Sequence, residues 1–367
     1  MKMNRNALAR NTRRVVLGIV AFGVATMFVL IACSAPQNQA TPSNSQQPSA
    51  TDWKAVEQAL GKAGSVQPGD VYKVSLPRSD LKVTVDGVSV KAPLALGSWV
   101  AFKKAGGMTM VMGDLVLTED EVTPVLTKLQ EGAVEQTALH NHVFHESPRV
   151  MHMHISAMGD AVKIARAIHD ALALSKTPFT APAPGIPSQD LGIDTKQIDQ
   201  IMGQSGKING GVYQFSVPRA EKIMDNDIEV PPSMGVAHAI NFQPTGGGKA
   251  AITGDFVLIA SEVNPVIRAL RDNGIQVTAV HSHMLVESPR LFLMHFWDND
   301  DALKLARGVR AALEKNKLGK RLKQFRGIGS RRHRVVVSIV CHSDMTNSSG
   351  FDFGCRATSQ RYRERLT

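Results

Sequence analysis

Ala138-Leu-His140-Asn-His142-Val-Phe-His145-Glu146-Ser-Pro148-Arg149-Val-Met-His152-Met-His154 has a partner 141 residues further on, Ala279-Val-His281-Ser-His283-Met-Leu-Val-Glu287-Ser-Pro289-Arg290-Leu-Phe-Leu-Met-His295. Three other blocks keep that offset. Val71-Tyr72-Lys-Val-Ser-Leu-Pro77-Arg78 matches Val212-Tyr213-Gln-Phe-Ser-Val-Pro218-Arg219. Gly113-Asp114-Leu-Val-Leu117 matches Gly254-Asp255-Phe-Val-Leu258, and Glu121-Val-Thr-Pro124 matches Glu262-Val-Asn-Pro265. One offset held across separate blocks is the signature of an internal duplication.

Within each copy the apolar spacing reads as a mixture of strands and helices. A short helix opens it (residues 53–60 and 196–202). Residues 72–76, 81–85, 99–102 and 108–117 follow as strands, the last apolar on both faces. Thr123-Pro124 and Asn264-Pro265 read as an N-cap and a proline in the first helical turn. That helix buries Val125, Leu126 and Leu129, or Val266, Ile267 and Leu270, and stops at Gly132 or Asn273-Gly274. A hairpin covers residues 137–155. Asp160 and Asp301 then cap a final helix, with Ile164, Ala165, Ile168 and Leu172 along one face. The expected fold class is α+β: a duplicated strand/helix domain, the two copies packed about a pseudo-twofold axis. Residues 51–176 form the first repeat, 177–190 a Pro-rich linker, and 191–317 the second repeat.

The ends read differently. Lys2, Arg5, Arg10, Arg13 and Arg14 precede an uncharged run that ends in Leu30-Ile31-Ala32-Cys33. Residues 1–32 thus resemble a bacterial lipoprotein signal peptide, with Cys33 as the residue that takes the lipid and becomes the mature N-terminus. The same stretch, Thr12-Arg13-Arg14-Val15-Val16-Leu17, also resembles a twin-arginine export signal. A transmembrane anchor is the alternative, since 18 uncharged residues just span a bilayer. Residues 33–50, rich in Pro, Ser and Gln, have the composition of a flexible tether. This places the protein outside the cytoplasm, anchored to the membrane of the cell envelope through lipid on Cys33.

The net charge of +10 over 367 residues suggests nucleic acid until it is located. The leader holds five of the basic residues, and residues 320–367 hold 11 Lys/Arg against 3 Asp/Glu. Residues 33–319 keep 26 Lys/Arg against 29 Asp/Glu, so the body has no basic excess and nucleic acid is excluded as a partner. Residues 318–367 read as a basic, unstructured extension. Apart from Cys33, the cysteines (Cys341 and Cys355) lie in that tail, so no disulfide supports the repeats.

The hairpin carries the chemistry. In a strand, residues two apart share a face, so His140 and His142 can approach one atom together. A turn centred near Pro148 would set His154 across from His142, and His295 across from His283, with Glu146 and Glu287 at the turn. His140, His142, Glu146 and His154 thus form one candidate metal site, and His281, His283, Glu287 and His295 a second. Three imidazoles and a carboxylate suit a divalent transition metal, zinc first, with iron, manganese or copper as alternatives. His145 and His152 are matched by Val286 and Leu293 in the other copy and are not counted as ligands. Asp114 and Asp255, charged within apolar strands, need a partner: they either orient a ligating imidazole or shape a turn or bulge after the preceding glycine. Arg149 and Arg290 either bind a substrate anion or pair with a hairpin carboxylate. Met108, Met110, Met112, Met151 and Met153 read as core filler. The spacing His-x-His-x3-Glu with a later His resembles the cupin metal motif, although interposed helices do not fit a cupin.

Gly-Asp-[Leu/Phe]-Val-Leu, His-x-His, Glu-Ser-Pro-Arg and Met-His, present in both copies, resemble the LppY/LpqO family of secreted and lipid-anchored bacterial proteins over about residues 52–316. The resemblance implies an envelope location and a duplicated domain, with no catalytic residues to carry over. Two functional readings follow: a module that binds a metal or a metal-bridged small ligand, and a metal-dependent hydrolase in which Glu146 or Glu287 is the general base for a metal-bound water. A structural envelope protein whose histidines only bond to one another is the third.

Overall fold

Strand alternation needs a cover on each apolar face, and in this protein each large sheet has two covers. The computed structural model describes residues 52–180 and 190–316. The leader, Cys33, the tether, residues 181–189 of the linker and the tail lie outside the described residues.

Repeat 1 runs α1 (Asp52–Leu60), β1 (Ser65–Gln67), β2 (Val71–Pro77), β3 (Val83–Val85), β4 (Val88–Val90), α2 (Ala92–Ala95), β5 (Gly97–Ala105), β6 (Met108–Thr118), α3 (Glu119–Glu131), β7 (Glu135–His140), β8 (Glu146–Ser147), β9 (Val150–Gly159) and α4 (Ala161–Leu172). Repeat 2 runs α5 (Thr195–Met202), β10 (Lys207–Asn209), β11 (Val212–Pro218), β12 (Ile223–Asp225), β13 (Ile228–Val230), a 3-10 turn (Pro232–Met234), β14 (Ala237–Gly246), β15 (Lys249–Leu258), α6 (Ala260–Asp272), β16 (Gln276–His281), β17 (Glu287–Ser288), β18 (Phe292–Asp301) and α7 (Ala302–Leu313). Each repeat builds an antiparallel six-stranded sheet, ordered β1-β2-β5-β6-β9-β7 and β10-β11-β14-β15-β18-β16. Each also builds a three-stranded sheet, β4-β3-β8 and β13-β12-β17. The α+β duplication read from the sequence is therefore the fold.

One face of each large sheet packs on its own helices. In repeat 1 this core contains Tyr72, Val74, Leu76, Phe102, Leu115, Leu117, Leu129, Met153, Ile155 and Ile168. The opposite face belongs to the other repeat. Val71, Ala101, Met110 and Met112 of repeat 1 pack with Ile223, Val230, Met234, Leu291 and Leu293 of repeat 2. The reciprocal cluster joins Val212, Ala251 and Trp297 to Val83, Val85, Leu94, Val143 and Val150. Each repeat's small sheet thus lies on the other's large sheet, a self-complementary contact like that of a twofold dimer. This explains why β6 is buried on both faces along nearly its whole length: helices cover one side and the partner repeat the other.

Arg78 ties the strands to α3. Its side chain is 0% exposed; Nη1 donates to the Val116 carbonyl at 2.8 Å and to Glu121 at 2.7 Å. Arg219 does the same with Val257 at 2.6 Å and Glu262 at 2.7 Å. This corrects the helix start. Glu121 also accepts the Thr118 N–H at 2.9 Å, so α3 begins at Glu119, and Pro124 falls inside it rather than at its first turn. Glu262 holds Ile259 in the same way, at 3.0 Å. Asp160 and Asp301 cap α4 and α7 as expected, accepting from Lys163 and Lys304 at 2.8 and 2.7 Å.

Candidate metal centre

Strand register sets the site. Along β6 and β9 Asp114 pairs with His154, and between β7 and β9 His140 pairs with His152 while Ala138 pairs with His154. Paired residues share a face, so Asp114, His140, His152 and His154 all point to the seam between the repeats. Repeat 2 repeats the pattern, with Asp255 and Ala279 opposite His295, but Leu293 stands opposite His281. The glycine before each aspartate allows strands to approach closely: a Cβ at Gly113 would lie 2.8 Å from the Trp99 carbonyl oxygen.

This register corrects the expected hairpin. It is centred on Glu146, not Pro148, so His154 does not face His142 across the strands. The reason is a long-range pairing: Glu146 and Ser147 leave the hairpin as β8 to pair with Val85 and Thr84 of β3, and loops flank them between β7 and β9. His142 and His283 lie in these loops, just beyond the strand ends.

Glu146 and Glu287 are not brought into the histidine cluster. Glu146 accepts the Val150 N–H at 3.2 Å, and Glu287 accepts the Leu291 N–H at 2.8 Å, each closing a turn that contains a cis Ser-Pro bond. Arg290 pairs with Glu287 at 3.1 Å and donates to the Met284 and Leu285 carbonyls. Arg149 is exposed and stands 3.7 Å from Glu119. Neither arginine reaches the seam. His145 turns outward to Asp86 at 2.9 Å.

What the seam collects instead is one cluster from both repeats. His140 and His281, each other's counterparts, meet with ring centroids 3.7 Å apart. His142 stacks on His295 at 3.8 Å, and their counterparts His283 and His154 stack at 3.6 Å. The pseudo-twofold axis therefore passes between His140 and His281. His152, set aside in the sequence because Leu293 is its counterpart, joins the cluster: its ring lies 3.3 Å from that of His142, and its Nδ1 3.2 Å from Asp114. The repeat pattern hides it, because that pattern marks only residues that both copies keep.

The aspartates sit behind the imidazoles. Asp255 Oδ1 lies 2.8 Å from His295 Nδ1, although that nitrogen also lies 3.2 Å from the Gly254 carbonyl and the carboxylate contact is not an aligned hydrogen bond. Burial works to raise both carboxyl groups, but the neighbouring imidazoles outweigh it and hold both below the usual carboxylate range. Burial, then crowding by the other rings, pushes His140, His142, His154 and His283 down, and His281 to about 4. These rings are neutral at physiological pH, so each keeps a lone pair.

Among the described residues, one nitrogen on most rings of the cluster has no partner. Nε2 of His140, His142, His152, His154 and His283, and Nδ1 of His281, are buried without a hydrogen bond. An unpaired buried polar atom costs roughly 1–3 kcal/mol, so six in one place is an expensive arrangement unless something binds them. Among the described residues, four sets of side chains have donor atoms all within 4.8 Å of one another. They are His140/His281/His283/His295, His140/His142/His154, Asp114/His142/His152 and His142/Asp255/His295. Only the first and third share no residue, so these sets can serve two ions at once. The first set offers four imidazoles from both repeats; the third offers two imidazoles and a carboxylate from repeat 1 alone.

The chain belongs to the family described as Domain of Unknown Function (DUF1259), whose model matches residues 54–174 and again 196–315. No curated protein matches the chain. Two solved structures align over most of its length. One is a trimeric bacterial microcompartment shell protein, PduB, at 13% identity over 74% of this chain and 95% of that one, with a TM-score of 0.20. The other is EtuB from Clostridium kluyveri, at 10% identity over 73% and 93%, with a TM-score of 0.19. Neither overlay is close enough to bear on fold or function.

Proposed function

We propose that this protein binds divalent transition metal in a single composite centre at the seam of its repeats, rather than in one site per repeat. The observation that carries this reading is the convergence of six unpaired, buried imidazole nitrogens from both repeats. Neutral imidazole is the ligand form, and a set of four suits zinc or copper, with zinc the first expectation. The pairing of Asp114 with His152 would orient that ring, as carboxylates behind metal-bound histidines do.

The hydrolytic alternative needs a free general base. Glu146 and Glu287 are committed to the Val150 and Leu291 backbone, which favours metal binding over hydrolysis at those residues. The leader reading adds the setting: lipid on Cys33 would hold the centre at the surface of the envelope membrane.

The test is metal content. The full-length chain, purified without an affinity tag and offered zinc, copper, iron and manganese in turn, should retain metal stoichiometrically through gel filtration by elemental mass spectrometry. A well-folded chain that retains none of the four would overturn the reading and leave a structural envelope protein.

A further inference from the structure

The two sides of the seam are not equivalent. Where repeat 1's small sheet lies on repeat 2's large sheet, polar side chains close the contact. Gln214 donates to the Pro93 carbonyl at 2.7 Å, Asn241 to the Leu94 carbonyl at 3.2 Å, and Gln243 to the Ser89 carbonyl at 2.7 Å. On the other side the counterpart of Gln214 is Lys73. The counterpart of Ala239 is Trp99, since each pairs with its repeat's aspartate, and the counterpart of Asn241 is Ala101. There a cavity of about 730 Å³ opens between the repeats. Its walls include Trp99, Met112, Met234 and Leu293, and Asp114, His154, Asp255 and His283 bring it to the histidine cluster. That volume and an apolar wall with a few convergent polar groups are what a small-molecule site needs.

Two cations line this cavity, Lys73 and the more exposed Lys207, and Lys73 is the one held against Trp99. Its Nζ donates to the Ser233 carbonyl at 3.0 Å and stands 3.9 Å over the Trp99 ring. An ammonium has three hydrogens, and among the described residues Lys73 forms no ion pair. Gly235, at φ +91, lets the backbone close over Trp99: a Cβ there would lie 3.0 Å from the indole. The ring is thereby fixed as a platform. Burial pushes Lys73 down to about 8, with Asp114 pulling the other way, so it remains charged at neutral pH.

We propose that this cavity binds a small carboxylate-bearing molecule, with its carboxylate on Lys73, its apolar body against Trp99 and Met234, and its far end at the histidine cluster beside His154 and His283. Lys73 and Asp114 are two strands apart, roughly 10 Å at the backbone, a span that one ring and a short chain fill. The inference rests on the metal reading for the far-end contact alone: bound metal offsets the negative charge of Asp114 and Asp255, which otherwise repels an acid.

The test is isothermal titration of the full-length chain with benzoate, phenylacetate and 3-phenylpropionate, and with 3-phenylpropylamine as a cation of matching shape. Zinc-loaded and chelator-stripped samples are run in parallel, with metal content measured on each. At least one carboxylate should bind, more tightly to the loaded chain, and the amine should not. Lys73→Gln installs the residue that the counterpart position carries; it should weaken carboxylate binding at least tenfold and leave metal content unchanged. Lys73→Arg, which keeps the charge, should bind within a few-fold of the parent. Binding by no carboxylate, equal binding of the amine, or an unchanged affinity in a folded Lys73→Gln chain would overturn the proposal. A chain that takes no metal but loses carboxylate binding in Lys73→Gln would sink the metal reading and support the cavity.

Discussion

Arg78 and Arg219 do the same work in both repeats, whereas Lys73 and Gln214 do not. The arginines are counterparts with the same partners, a strand carbonyl and a glutamate at the start of the following helix. They hold sheet to helix, and the duplication has kept them together with their surroundings. The differences gather at the seam: His152 against Leu293, Lys73 against Gln214, Trp99 against Ala239. One side of the seam holds the extra imidazole and an open cavity with Lys73 in its wall; the other is closed by amide hydrogen bonds. A duplicated scaffold with unequal seam residues separates what folds the protein from what gives it chemistry.

The largest expected effect tests the shared device. Arg78→Met and Arg219→Met each leave a buried glutamate uncompensated, which should cost about 3–5 kcal/mol. Chemical denaturation should give nearly equal losses; a large inequality would break the equivalence of the repeats. Next comes His152→Leu, which installs the repeat 2 residue and removes the Asp114/His142/His152 set. Zinc titration of the parent should saturate at two equivalents and that of the variant at one, and a variant that still takes two would show that the asymmetric set is not used.

The two Glu-Ser-Pro-Arg turns differ in charge balance. Burial pushes Glu146 up to about 7, outweighing the Val150 N–H, His152 and Arg149, which pull the other way. The folded chain therefore holds that proton more tightly than the unfolded chain, whose glutamate titrates near 4.5. Between these values stability from this group falls as pH rises. Glu146→Gln should raise the melting temperature at pH 8 and have little effect at pH 4. Glu287, fully buried, is paired with Arg290, and Glu287→Gln removes that pair and should cost about 1 kcal/mol or more. Equal shifts in the two variants would erase the distinction.

The smallest effect concerns His238, which takes the place of Ser98. Each accepts a strand N–H, from Val257 at 3.0 Å and from Val116 at 2.8 Å. Burial drives His238 down to about 3, so the unfolded chain takes up its proton first as pH falls below about 6.5. Stability from this group is lost progressively from there toward pH 3. His238→Ser should flatten that part of the pH–stability curve, and an unchanged slope would remove His238 from the explanation.

The duplication, the helix caps at Asp160 and Asp301, and most of the ligand candidates were legible in the sequence because they depend on local spacing repeated twice. The hairpin register was not, because β3, remote in sequence, draws Glu146 and Ser147 away from their neighbours. The start of α3 was missed for a similar reason: Thr123-Pro124 is a plausible cap until Arg78, 43 residues back, is seen to fix Glu121. Lys73 and Trp99 carried no local signal, since alternation says which residues share a face but not what covers it. His152 was visible, yet symmetry argued against it, and it belongs to the asymmetric part of the site.

His140 and His142, both in repeat 1, between them occur in all four ligand sets. The metal content of a His140→Ala/His142→Ala chain, checked for native folding by circular dichroism, therefore decides between a shared centre and two separate ones. A shared centre predicts that all bound metal is lost although repeat 2 is untouched. One equivalent retained on His281, His283 and His295 would contradict it and restore one site per repeat.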